Sequence, residues 1–215
     1  MRRTQETNPP EAAYDRRAAA YDHLIRSRLY NRLAWNTSPD QYTDFARQAI
    51  ASADGPLLEV AVGSAAATAE LHAHSTRPTV LVDLSQPMLD RAARNLAATA
   101  GVVPAHIRLE RADVRSLPFP PRGFTTILGL GFTHLFDDLP AVVADLREQL
   151  APGGRLHIAG LVGETRRGRR YLRLLHRAGE VATPQSAEEL SRQLGRPDDF
   201  RTIGCMAYAT LGPTR

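Results

Sequence analysis

The sequence contains no lysine: all 27 of its basic residues are arginine. A chain without side-chain amines cannot form a Schiff base and has no Walker-type phosphate lysine. It has one cysteine, Cys205, which excludes an internal disulfide framework and any multi-cysteine zinc site. No His, Asp or Glu grouping has metal-ligand spacing, so no metal is expected. Nor does any apolar run approach the roughly 18–20 residues of a membrane span. The opening Met1-Arg2-Arg3-Thr4-Gln5 leads into Pro, Glu and Asp without an apolar stretch, so a signal peptide is not expected either. A cytoplasmic location follows as the expectation. Aromatic residues are only 6% and no separate RNA-binding motif is present, which argues against nucleic acid.

What is there is the balance of one globular domain. Its 215 residues are 43% hydrophobic and 23% charged, with a mean hydropathy of -0.30. The formal charge of +4 and the pI near 9.7 permit an anionic partner without requiring one.

Polar residues 1–13, with Asn8-Pro9-Pro10, read as a flexible arm. Tyr14, Ala18, Tyr21, Leu24, Leu29 and Leu33 then recur at helical spacing, and a second helix over Pro39 to Ala53 has Ser38 as its cap candidate. Beyond Asp54-Gly55-Pro56 the pattern becomes short β-rich runs alternating with helices. Strands are predicted at 57–62, 79–84, 107–112, 124–130 and 155–161, with helices at 65–74, 87–99 and 139–150. Such alternation predicts a parallel sheet with helices on both faces. An arginine-rich helix (167–177), a further helix (187–194) and two β-like runs (200–203 and 206–211) close the chain. The terminal runs are expected to bring an antiparallel strand to the sheet edge. No repeat divides the chain. Residues 14–215 are read as a single domain, with helices over 14–54, a core over 55–161 and terminal helices and strands over 162–215.

The most informative stretch is Glu59-Val60-Ala61-Val62-Gly63-Ser64-Ala65, which leaves the first strand and opens a helix. Small residues at such a turn let backbone amides approach a ligand. Asp83 closes the next strand twenty residues after Gly63, where a ribose-binding carboxylate belongs in a nucleotide-binding βαβ unit. Asp113-Val114 follows the third strand, and Pro152-Gly153-Gly154 precedes the fifth.

With Val82-Asp83-Leu84-Ser85-Gln86-Pro87-Met88-Leu89, Phe132-Thr133-His134-Leu135 and Leu150-Ala151-Pro152-Gly153-Gly154-Arg155-Leu156, the chain resembles the class I S-adenosylmethionine-dependent methyltransferases over residues 12–212. The resemblance implies an α/β, Rossmann-like three-layer sandwich. Its sheet would be seven-stranded and mostly parallel with an antiparallel C-terminal strand, under N-terminal lid helices. It also implies S-adenosylmethionine as cofactor, with S-adenosylhomocysteine as product. Glu59 would lie near the methionine amino group, and Ala61, Val62, Gly63 and Ser64 would wall the methionine and ribose portions. Asp83 would hold the ribose hydroxyls, Leu84 and Met88 would pack on adenine, and Asp113 and Val114 would meet its edge. Gly129 and Leu130 would line the cavity near the sulfonium, and Tyr14 and Tyr21 would lie on a helix that closes over the cofactor. The family usually has glycine where Ala61 stands, and often where Ala65 stands. A Cβ disfavours positive φ there, which would shift the loop or weaken cofactor binding.

His134, just past the fourth strand, is the leading candidate for a general base; its alternative role is packing without proton transfer. Tyr21 is the second catalytic candidate beside His134, and Tyr14 a cofactor-binding one; seven residues apart on one helix face, they suit either a lid or an aromatic face docked on the core. The six arginines between Thr165 and Arg177 suit a solvated face or an anionic partner. The expected activity is methyl transfer to an O, N or C atom of a small molecule by a monomer or homodimer. Two alternatives stand beside it: a methyltransferase-like binding protein without turnover, and a nicotinamide-dependent oxidoreductase suggested by Ala61-x-Gly63-x-x-Ala66 with Asp83.

Overall fold

The computed structural model describes residues 38–213, so the expected arm and the helix carrying Tyr14 and Tyr21 lie outside the described residues. Helix α1 (Pro39–Ile50) starts where the sequence predicts. The Ser38 side chain accepts a backbone N–H from the first turn while Gln41 reaches back to the Ser38 N–H, and Pro39 needs no partner at this position. Phe45, Ala46, Ala49 and Ile50 make the buried face of α1 and pack on Leu57, Leu128, Ala159 and Tyr208.

The strands are β1 (Leu57–Val60), β2 (Thr79–Asp83), β3 (Ile107–Arg111), β4 (Phe124–Gly129), β5 (Leu150–Leu161), β6 (Asp199–Ile203) and β7 (Met206–Leu211). They form one sheet in the order β3-β2-β1-β4-β5-β7-β6. Pairs among β1 to β5 are parallel, and β7 runs antiparallel to both β5 and β6. Helices α2 (Ala69–Ala73) and α3 (Gln86–Ala100) share the face of α1. Helix α4 (Leu139–Glu148) and α6 (Ala187–Gln193) cover the opposite face, over Leu58, Ile127, Leu156 and Ile158. Helix α5 (Arg166–Arg177) packs Leu172 against Cys205 in the β6–β7 turn. Among the described residues, no helix is long and apolar enough to cross a membrane.

Three sequence expectations are refined. The antiparallel strand is not at the edge: β7 is almost wholly buried and takes the interior position, whereas the largely exposed β6 forms the edge. The helix expected from Ala65 begins only at Ala69, because Ala61, Gly63 and Ala65 all have positive φ and hold the preceding residues in turns. Strand β5 starts at Leu150 rather than Arg155, with a register shift where Pro152-Gly153-Gly154 passes β4.

At the amino edge of the sheet, Arg77 is only 7% exposed and joins three segments. Its guanidinium donates to Ile50 O (2.5 Å), Gly55 O (2.9 Å), Thr126 Oγ1 (2.9 Å) and Thr125 Oγ1 (3.1 Å). Desolvation lowers its pKa, and the charge of Asp54 opposes that shift. Replacing it strands two carbonyls in the interior. Arg77→Met should therefore lower the unfolding free energy by about 3 kcal/mol in urea titrations, since each unsatisfied buried group costs roughly 1–3 kcal/mol. A loss below about 1 kcal/mol would mean that water replaces the guanidinium.

Candidate functional site

The register places four strand ends side by side. Val60 pairs with Val82 and Gly129, and Asp83 with Arg111, so the segments after β1, β2, β3 and β4 share the carboxyl edge. Ligands of open α/β sheets bind at that edge. Most of the sequence-predicted residues converge there.

Asp83 holds the centre. Its Oδ2 accepts the Gly63 N–H at 2.8 Å and its Oδ1 accepts the Ser85 N–H at 2.9 Å, joining the loops after β1 and β2. Burial pushes its pKa up, against backbone hydrogen bonds that pull it down. A Cβ built on Gly63 would meet no atom within 4 Å, so this turn borders open space. Val62 donates to Val82 O (3.0 Å), and Ser64 is buried with its carbonyl held by Asn95 (2.8 Å). Leu84 is 60% exposed directly beside Asp83, and Met88 is half-buried in the first turn of α3. Asp113 caps the short 3-10 turn Val114–Ser116 through the Arg115 N–H (2.9 Å), and Val114 is buried beneath it. Gly129 has no room for a side chain, with Phe132 3.0 Å from a built Cβ, and Leu130 is buried.

Glu59, which the resemblance sets near the methionine amino group, is held by protein groups in the structure. It is 2% exposed, and its carboxylate accepts from Thr68 Oγ1 (3.1 Å) and bonds His72 Nε2 (2.5 Å), both carried by the α2 region. Sequence reasoning passed over both partners. Their signal was the i, i+4 spacing of Thr68 and His72, the cap and the fourth residue of a helix that follows β1.

His134 lies in the 3-10 turn Thr133–Leu135, half-buried, where its Nδ1 accepts the Leu161 N–H at 3.1 Å. Burial lowers its pKa to about 4. The ring is therefore neutral at pH 7, with its proton on Nε2 and its lone pair committed to β5. This arrangement donates a hydrogen bond and does not supply the free lone pair that a general base needs. Behind it, Val181, Ala182, Gln185, Leu172 and Leu190 line a small cleft with Thr133. On α5 the six arginines are all exposed, and Gly168 lies against Cys205. Among the described residues no group of three His, Cys, Asp or Glu side chains gathers for a metal.

This strand order, with an antiparallel β7 beside β5, is an α/β fold shared with solved methyltransferase structures. Residues 57–154, from β1 through Pro152-Gly153-Gly154, match the family described as a methyltransferase domain. Over this core the chain is similar to methyltransferase domains, and the solved structures that follow share its fold. No curated protein matches the sequence. Among solved structures, it is similar to geranyl diphosphate C-methyltransferase of Streptomyces coelicolor A3(2), crystallised with Mg2+, geranyl diphosphate and S-adenosyl-L-homocysteine. That match has 15% identity and a TM-score of 0.66, covering 97% of this chain and 86% of the other. A S-adenosylmethionine-dependent methyltransferase of Thermotoga maritima gives 14% identity, a TM-score of 0.67 and coverage of 94% and 98%. DhpI, in complex with S-adenosylhomocysteine, gives 20%, 0.64, 95% and 96%. Neither the oxidoreductase alternative nor the turnover-free one is favoured by these findings.

Two consequences are measurable. Ala61 and Ala65 sit at φ of 49° and 53°, a conformation that costs an L-residue roughly 1–2 kcal/mol. Ala61 is half-buried whereas Ala65 is 2% exposed, so only the second substitution also gives up a buried methyl, worth about 0.8 kcal/mol. In chemical denaturation Ala61→Gly should gain about 1 kcal/mol and Ala65→Gly close to none. Equal changes at both sites would contradict this accounting.

The second concerns protonation. His134 and His157 both have pKa values lowered to about 4, chiefly by burial, whereas an unfolded chain titrates them near 6.5. The unfolded state thus takes up protons that the folded state refuses. Their contribution is complete above pH 6.5 and is lost as pH falls toward 4. NMR titration should find the His134 ring still neutral at pH 5.5; a midpoint near 6.5 would show that the ring is solvated.

Proposed function

We propose that the chain is an S-adenosylmethionine-dependent methyltransferase that acts on an O, N or C atom of a small molecule, chiefly by in-line positioning. The observation that carries the site assignment is Asp83 at the open carboxyl edge, fixed by two backbone amides and flanked by exposed Leu84. Each carboxylate oxygen accepts one amide and retains a lone pair, which suits a ribose diol. Leu84 and Met88 supply the apolar surface for adenine, and Asp113 with the Val114 amide its edge. The backbone from Ala61 to Ser64 borders the ribose and methionine portions. Glu59 acts from below: through Thr68 and His72 it fixes α2 under the loop. Gly129 and Leu130 wall the sulfonium end, and Tyr14 and Tyr21, which lie outside the described residues, are assigned to the cofactor and the reacting centre in this reading.

When bound, S-adenosylmethionine supplies a methyl carbon made electrophilic by its sulfonium. The chain's residues then have to align an acceptor with that carbon and keep water out, and good alignment is worth on the order of 7–11 kcal/mol. His134 serves here as a neutral donor through Nε2, orienting the acceptor or the loop beside it. The acceptor is read as a small molecule because, among the described residues, the carboxyl edge of the sheet stays open with no substrate domain inserted into the fold. A cytoplasmic monomer or homodimer, without nucleic acid, completes the reading.

Calorimetric titration tests it. Wild-type protein should bind S-adenosylmethionine and S-adenosylhomocysteine saturably at micromolar concentrations. Asp83→Ala should weaken both at least about tenfold, the worth of hydrogen bonds to a charged acceptor. Equal binding by variant and wild type would remove Asp83 from the site.

A further inference from the structure

The cleft behind His134 lies between the turn after β4 and the segment that joins α5 to α6, and its space of about 10 Å³ has room for a single water-sized group. Its walls are pinned by backbone hydrogen bonds: Ala182 donates to His134 O (2.9 Å) and Gly163 to Gln185 O (2.7 Å). Polar atoms on this lining lack a protein partner. Thr133 is 2% exposed and its Oγ1 is buried and unbonded, as is Gln185 Oε1. His134 Nε2 joins them, carrying the ring proton because Nδ1 accepts the Leu161 N–H. No Asp, Glu or Arg lines the cleft; the rest of its wall is largely apolar, with Leu161 and Val181 only half-buried. Buried polar atoms are costly to leave unpaired, so a group from outside the chain completes these.

We propose that this cleft anchors the methyl acceptor by an uncharged hydroxyl, which makes the acceptor a neutral hydroxyl compound with an apolar body. The proposal rests on the reading above that the chain methylates a small molecule. Counting donors and acceptors selects the group. His134 Nε2–H and the Thr133 hydroxyl offer two protons and Gln185 Oε1 one acceptor, and a ligand hydroxyl carries two lone pairs and one proton. An ammonium has no lone pair for the imidazole N–H. A carboxylate has no proton for Gln185, and no cation lines the cleft to offset its charge. Water fills the same space but leaves one of its protons unused. The space holds an oxygen and little more, so the apolar body lies outward against Leu161 and Val181.

Benzyl alcohol, benzylamine and benzoate share one body and differ in the head, and they serve as probes. Binding is followed by the His134 ring resonances, with S-adenosylmethionine titrated separately by calorimetry and thermal unfolding as the control for folding. Wild type should bind benzyl alcohol saturably in the millimolar range and shift those resonances, with the other two probes at least about fivefold weaker. Thr133→Val keeps the shape of the side chain and should weaken benzyl alcohol about fivefold, the worth of one hydrogen bond. Gln185→Glu puts a carboxylate on the lining and should turn the preference to benzylamine. Wild type that prefers benzoate or benzylamine, or binds none of the three, overturns the proposal; if it binds S-adenosylmethionine, the methyltransferase reading stands. Benzyl alcohol binding that neither variant alters also overturns it. A protein that selects benzyl alcohol as described yet binds no S-adenosylmethionine overturns the methyltransferase reading and leaves the cleft as a hydroxyl site.

Discussion

The carboxylate of Asp83 is the constraint on which the edge of this molecule depends. It is largely withdrawn from water, and burial alone works against its charge. The Gly63 and Ser85 amides compensate, and in doing so tie together two loops twenty residues apart in sequence. A neutral side chain of the same length has only one acceptor oxygen and cannot serve both amides. The geometry thus requires a carboxylate for its own integrity, and the same geometry leaves each oxygen a second lone pair toward the open side. Structural need and ligand binding fall on one group.

The loop it ties is under strain from below and within. Glu59 sits at the root of β1, held by Thr68 and His72, so the start of α2 is anchored beneath the turns that precede it. Those turns pass through three residues at positive φ, two of them alanine. Glycine would relax Ala61 at little cost, yet at Ala65 the buried methyl offsets much of the conformational penalty. The two alanines are therefore unequal departures from a glycine-rich loop. Their difference is one of packing, not of backbone angle.

The fold was legible because its signals are periodic. Strand runs, the Ser38 cap and the placement of Asp83 after β2 all depend on local spacing, which survives in a single sequence. The positive φ at Ala61 and Ala65 was foreshadowed only by the resemblance, whose members usually or often carry glycine at those places. What escaped were contacts set by tertiary packing. Thr68 and His72 look like ordinary helix residues until β1 is laid beneath them. Tyr42 follows the core register of α1, and its hydroxyl meets Gly131 only when the turn after β4 is laid beside it. The lone pair of His134 is likewise committed by Leu161, a strand away, and no local pattern announces that bond. No local pattern marks Arg77 either, because its acceptors are carbonyls and hydroxyls contributed by three separate segments.

These long-range contacts divide the sheet between two tasks, and α1 connects them. Twelve residues of helix span about 18 Å, the distance from one edge of the sheet toward the other. At the carboxyl end of that span Tyr42 meets Gly131; at the amino end the Ile50 carbonyl is held by Arg77. The buried face between them, Phe45 to Ala49, has no freedom to slide without opening the core over Leu57 and Leu128. The position of the Tyr42 ring is thus set partly by an arginine at the far edge of the sheet.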